Sequence, residues 1–220
     1  MWRSTSQWIG GLYFLFSIIL LIDIFDNNLK DSFTDFLSFN TSETLKQSLK
    51  VLMLYSLLTL GIFICLRFVD LRNLDAFNLS LTIISSGGFL SFNSLDQVLN
   101  TDLKIIIFSL TMLVSFFSIF LFYNLISIRN KINFFYEDFY LLIYLLFLII
   151  IFFIFFNDLN NFPSLFLSIT SSISNIGFYF DNSKQNLYFL YLLLVIIGGS
   201  FFSTSSGIRF IKLFTLIKFS

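Results

Sequence analysis

Ser85-Ser86-Gly87-Gly88-Phe89 and Ser174-Asn175-Ile176-Gly177-Phe178 lie 89 positions apart and keep Ser, Gly and Phe in register. Their side chains offer no base, paired nucleophile or metal ligand, so the chemistry they carry is that of the backbone. Glycine opens φ values that other residues reach only at a cost, which suits a turn that must display its carbonyl oxygens. A third stretch, Gly198-Gly199-Ser200-Phe201-Phe202-Ser203-Thr204-Ser205-Ser206-Gly207, is poor in helix formers and rich in hydroxyls that bond their own backbone. The rest of the inventory excludes more than it offers. There is no His and a single Cys, Cys65, so the ligand sets of zinc, haem and iron–sulfur sites are lacking, no metal centre or cofactor is expected, and the redox compartment is unreadable. No Gly-x-Ser-x-Gly turn or similar arrangement stands out, and an enzyme is not expected. Thirteen Lys plus Arg balance thirteen Asp plus Glu, which leaves no basic excess for nucleic-acid phosphates.

These stretches need elements to hold them, and composition says in what solvent. Of 220 residues 57% are hydrophobic, 34 are Phe, and only 12% are charged, against about half apolar and a quarter charged in globular chains. The chain is expected to be an all-α membrane protein. Apolar stretches from Trp8 to Ile22, Val51 to Leu66, Ile105 to Ile128 and Phe139 to Phe156 approach the ~17–25 residues of a spanning helix, giving at least four crossings. Asp23 and Asp26 end the first, with no small-residue cleavage site, so it is expected to stay in the mature chain. Ala76 to Ile84 and Ser164 to Ile173 are about half as long as a crossing needs and read as re-entrant half-helices. Irregular backbone at membrane depth belongs where protein buries it or water fills a cavity, which suggests a pore; plain re-entrant packing is the competing reading.

The 89-residue offset also pairs Tyr55 with Tyr144, Phe77 with Phe166, and Asp75 with Ser164. The last two are types that cap helix N-termini, and Pro163 suits a first helical turn. Each unit therefore reads as span, half-helix, Gly-Phe turn, span. Leu187 to Phe219 would make a helix of about 50 Å, beyond a ~30 Å hydrocarbon core, so a break at Gly198 to Gly207 is expected. The divisions are 1–22, a second span of an incomplete first repeat; 23–50, a cytoplasmic loop; 51–128, a second repeat; 129–138, a cytoplasmic loop; and 139–220, a third repeat with a broken span. If both turns share one side, that side carries Arg3, Arg67, Arg72, Lys104 and Lys184, against Lys30, Lys46, Lys50, Arg129, Lys131, Arg209, Lys212 and Lys218, which faces the turns outward.

The chain resembles the Trk/Ktr/HKT family of potassium-uptake proteins. Trp2-Arg3-Ser4-Thr5-Ser6-Gln7-Trp8-Ile9-Gly10-Gly11 is similar to the motif opening that family's second span of repeat one. Leu81 to Phe89 resembles the second filter segment and Ser171 to Phe178 the third. Ile197-Gly198-Gly199-Ser200 through Ser203-Thr204, then Ser206-Gly207-Ile208-Arg209, resembles the intramembrane gating loop. The first and fourth filter segments have no counterpart, and Ser205 replaces a usual glycine or alanine.

The resemblance implies a multi-pass protein of the inner (plasma) membrane that moves monovalent cations, most of all potassium, as part of a four-repeat pore. It further implies membrane lipid as surroundings, a homodimer, and a cytosolic nucleotide-binding regulatory subunit. The filter backbone would be Ser86, Gly87, Gly88, Asn175, Ile176 and Gly177, whose carbonyls replace the water of a dehydrating K⁺ without a full counter-charge that would trap it. Each half-helix would aim its partly negative C-terminus at the cavity. The gating loop would be Gly198, Gly199, Ser200, Ser203, Thr204, Ser205, Ser206 and Gly207, with Arg209 and Lys212 at the cytoplasmic mouth or acting as ordinary snorkelling anchors. Asp70, Asp75, Asp96, Asp102, Asp158 and Asp181 would concentrate cations or merely solvate the surface. A non-conducting accessory or structural membrane protein is the alternative.

Overall fold

The computed structural model describes residues 1–25, 44–91, 95, 98–119, 121–122, 136–156, 162–178, 188–210, 212–213 and 216. Among them the chain forms seven helices: α1 (Trp2–Phe25), α2 (Thr44–Phe68), α3 (Asn73–Ile84), α4 (Asp102–Phe116), α5 (Tyr136–Phe156), α6 (Phe162–Ile173) and α7 (Tyr188–Ile196). The described residues contain no β-strand, only an isolated parallel bridge between Ile197 and Ile208.

The middle of α2 shows which solvent shaped the fold. Val51, Leu54, Tyr55, Leu58, Ile62 and Leu66 are buried on one face, at the three- and four-residue spacing of a helix. The opposite face is apolar too: Leu52, Met53, Leu57, Leu60 and Ile64 are exposed. A helix apolar all round is at home in lipid rather than in water. Residues Ser48–Phe68 are the one stretch of described helix long and apolar enough to cross a membrane, with a mean hydropathy of 2.2 over its window.

Helices α3 and α6 have 12 residues each, about 18 Å and too short to cross. Each residue of one lies 89 positions from its counterpart in the other. Both are packed among other helices, α3 against α1 and α2 and α6 against α4 and α7, although Leu74 and Phe77 of α3 stay exposed. The expected caps are not where the helices start. Arg72 precedes α3 without a side-chain capping bond, and Asp75 lies in the first turn, where its charge still complements the helix dipole. Ser164 lies inside the first turn of α6, and its carbonyl accepts a 2.9 Å bond from Ser168 Oγ. Neither residue can cap, because helical backbone already begins two residues earlier.

The apolar run Ile105 to Ile128 is not one helix. α4 ends at Phe116, and Phe117 is extended at φ −79° and ψ 161°. Hydrophobicity alone would have continued it, but backbone N–H groups of the 198–207 segment take the carbonyls of Ser115 and Phe116. The 23–50 stretch is helical at its ends, since α1 runs to Phe25 and α2 starts at Thr44; the remainder, 26–43, lies outside the described residues, as do 129–135 of the 129–138 loop.

Candidate functional site

The turns after α3 and α6 repeat each other bond for bond. Ser86 N donates to Ile83 O and Gly87 N to Thr82 O; Asn175 N donates to Ser172 O and Ile176 N to Ser171 O. Thr82 Oγ1 reaches Phe89 O at 3.4 Å, and Ser171 Oγ reaches Phe178 O at 2.9 Å. Ser85 and Ser174 each return a hydroxyl to the helix, on Leu81 O and Thr170 O. The backbone conformation repeats as well. Ser86 (φ 52°) and Asn175 (φ 58°) are left-handed without being glycine, and Gly88 (φ 72°) and Gly177 (φ 77°) follow two residues on. A serine held left-handed costs free energy that the surroundings must offset, and such strain collects at functional sites.

The two turns also meet. A Cβ added at Gly88 would strike the carbonyl oxygen of Ile176, so the first turn admits the second turn's backbone at that point. Gly177 is different: among the described residues nothing lies within 4 Å of the Cβ it lacks. Gly87 is not left-handed, and its missing Cβ makes room for the amide of Gln7 on α1, whose Nε2 donates to Gly87 O at 2.9 Å. Gln7, absent from the filter residues expected from the motifs, is thus in direct contact with one of them.

The 198–207 segment is an unwound loop with joined ends. Gly198 N donates to Ile208 O at 2.8 Å and Ile208 N to Ile196 O at 2.9 Å. Its interior is closed to solvent: Ser200, Ser203 and Ser205 are 0, 1 and 1% exposed, while Ser206 is exposed. The hydroxyls satisfy the turned backbone, as the composition suggested. Ser205 Oγ accepts from Gly199 N at 2.8 Å and pairs with Ser203 Oγ at 3.2 Å. Gly207 is left-handed at φ 94°. Arg209 folds back into the loop, where Nη1 donates to Ser200 O, Ser203 Oγ and Ser205 O at 3.1, 3.0 and 2.9 Å. Its guanidinium also lies 5.3 Å from the Phe14 ring centroid. Lys212 is exposed just beyond.

The loop is bonded to both turns. Thr204 Oγ1 donates to Ile84 O, the last carbonyl of α3, at 2.6 Å, and Asn175 Nδ2 donates to Ser206 O at 2.9 Å. It also closes the end of α4, since Ser200 N donates to Phe116 O and Ser205 N to Ser115 O. The structure therefore gathers the two turns and the interrupted segment, three stretches far apart in sequence, into one place.

The chain shares its fold with a solved transporter. It superposes on the crystal structure of the potassium transporter TrkH from Vibrio parahaemolyticus with a TM-score of 0.78 over 96% of this chain, at 17% identity. The match covers 46% of that chain, so the present chain spans less than half the length of its structural relative. No protein-family model and no curated protein matches the sequence. The architecture is thus all-α, in the arrangement of a membrane transporter.

Of the acids expected to concentrate cations, Asp70, Asp75 and Asp102 are among the described residues. Asp70 Oδ2 is bound by Lys104 Nζ at 2.9 Å, and that hydrogen bond, then its charge, holds the Asp70 carboxyl below the usual range. Asp75 and Asp102 begin different helices, while Asp96, Asp158 and Asp181, like Lys184, lie outside the described residues. No group of three or more acids, His or Cys that could hold a metal occurs among the described residues. Motif reading placed Gln7 in the stretch resembling the family's second span of repeat one but gave it no role at the turn, and it did not foresee the tethers of Thr204 and Asn175. An amide one turn before Gly10-Gly11 was the only available signal for Gln7, and it carries no mark of a partner 80 residues away.

Proposed function

We propose that the chain forms part of a membrane pathway for monovalent cations, with potassium uptake as its direction of use. Ser86, Gly87, Gly88, Asn175, Ile176 and Gly177 present backbone oxygens to a dehydrating cation, and the loop from Gly198 to Gly207 is the barrier beneath them. The observation that carries the reading is the pair of left-handed turns, 89 residues apart, brought together where Gly88 admits the carbonyl of Ile176. Carbonyl dipoles favour a cation without fixing it, and two half-helices ending at the turns add their negative ends. That a solved protein of the same fold is called a potassium transporter supports the choice of ion. Asn175 and Thr204 tie barrier to turns, so the barrier cannot move without releasing Ile84 O and Ser206 O. Arg209, bonded into the loop, holds its interior rather than serving as a free surface anchor.

Two turns cannot surround an ion, and no described residue fills the space beside Gly177. The remaining oxygens come from further segments or a second copy. The family resemblance supplies the wider proposal: residence in the inner (plasma) membrane with several crossings, a homodimer, and a cytosolic nucleotide-binding regulator. The test is potassium-dependent growth of an uptake-deficient host expressing the chain together with its natural flanking segments. Growth at low potassium, lost on Gly88→Ser, is the expected result. No growth, with the protein confirmed in the membrane, supports a non-conducting accessory protein instead.

A further inference from the structure

We propose that Gln7, helped by Arg3, is a positioning residue that fixes the first turn from outside it and thereby sets cation selectivity; this rests on the cation-pathway reading above. The amide comes from a helix that is itself anchored. Trp8 Nε1 donates to Thr59 Oγ1 at 3.0 Å, and the Trp8 and Tyr55 rings lie 5.2 Å apart. Gly11 lets the Tyr55 hydroxyl come within 2.6 Å of the position its Cβ would take. Residues 7, 8 and 11 share a face of α1, so the contacts that lock α1 on α2 also aim Gln7.

At the turn, Nε2 donates to Gly87 O at 2.9 Å. A donated bond fixes the peptide plane between Gly87 and Gly88, and Gly88 is the residue that abuts Ile176 O. The orientation of the first turn's oxygens toward the second is therefore set by a side chain on another helix. Arg3 holds the next position, its guanidinium 5.4 Å from the Phe89 ring centroid, a cation–π contact. The turn's own groups supply no substitute: among the described residues the buried Ser86 Oγ has no hydrogen-bond partner, and neither has Gln7 Oε1. The glycine at 87 follows from this arrangement. Its φ does not require one, but a Cβ would occupy the space of the Gln7 amide. On the size-fit account of carbonyl filters, a carbonyl that cannot rotate discriminates between cations of different radius, whereas a free one adjusts to each.

Gln7→Leu removes the donor at similar volume, and Gln7→Glu replaces it with an acceptor that repels Gly87 O. Hydrogen exchange in the purified full chain should become about fivefold faster over residues 81–89 in both variants, the equivalent of one lost neutral hydrogen bond, while residues 170–178 stay unchanged. In the chain's own host, where any complementary segment is present, the rubidium-to-sodium uptake ratio should fall about fivefold at equal membrane abundance. Unchanged exchange at the first turn in both variants overturns the proposal. So does faster exchange with an unaltered uptake ratio, because Gln7 would then only pack. If the unsubstituted chain shows no selective uptake at all, the cation-pathway reading fails, and exchange alone decides whether Gln7 positions the turn.

Discussion

The two turns share their hydrogen bonds and their left-handed residues, yet their surroundings differ. The first, at residues 86–88, is half-buried but crowded at its glycines: Gln7 holds Gly87 O, Ile176 O fills the space beside Gly88, and Thr204 holds the carbonyl of Ile84. The second, at 175–177, buries Ile176 but exposes Gly177, where no described residue lies within 4 Å of the missing Cβ, and it is tied to the loop by one exposed bond from Asn175. Local sequence made the turns alike, and neighbours made them unequal.

The strongest way to break that contrast is a methyl group at each glycine. Gly88→Ala forces a left-handed alanine and a collision with backbone that cannot swing away, for about 3 kcal/mol or more. Gly177→Ala meets only the conformational term, about 1 kcal/mol. Thermal unfolding in detergent should separate them clearly. Equal losses would mean that the crowding at Gly88 is not real.

Next in size are the tethers. Thr204→Val leaves Ile84 O without its hydroxyl partner, which should cost about 1–3 kcal/mol and speed labelling of a cysteine placed at Ser203 by a water-soluble thiol reagent. Asn175→Gly removes the other tether but also relieves a left-handed side chain, so unfolding should shift by less than about 0.5 kcal/mol. A larger loss from Asn175→Gly than from Thr204→Val would reverse the ranking of the two turns.

A third comparison tests whether Gln7 is the reason for Gly87. Gly87→Ala alone should destabilise by about 1 kcal/mol as the amide is pushed aside, and by much less in a Gln7→Ala background. Additive losses would show that something else excludes the Cβ.

The smallest effect lies at the entry to α3. Asp70 is 81% exposed and bound by Lys104, which lowers its carboxyl. The pair's stabilisation is therefore present above the ordinary carboxylate range, near pH 4, and fades as pH falls through the lowered value. Exposure and salt keep it small. Asp70→Asn, which tolerates the same left-handed backbone (φ 63°), should remove that acid-side dependence of the unfolding midpoint. An identical pH profile in the variant would show that Lys104 contributes nothing there.

Helix positions were largely legible, because the apolar runs and the half-length segments follow from what backbone groups require in lipid. The starts of α3 and α6 were misread at Asp75 and Ser164, since capping preference is a local signal and the helices extend past it. The end of α4 at Phe116 was not legible, because what stops it is a segment more than 80 residues later.

The sequence by itself determined the solvent, the all-helical class, the repeat of 89 residues, and the loss of helix from Gly198 to Gly207. These depend on composition and on local backbone preference, which neighbours in the chain already specify. Only the tertiary structure decided which glycine meets a neighbour, which carbonyl Gln7 holds, that Thr204 ties the interrupted loop to Ile84, and that Asn175 and Arg209 bind it. Those outcomes depend on contacts between residues as far apart as Ile84 and Thr204, and such contacts come from how helices pack, which no local pattern encodes.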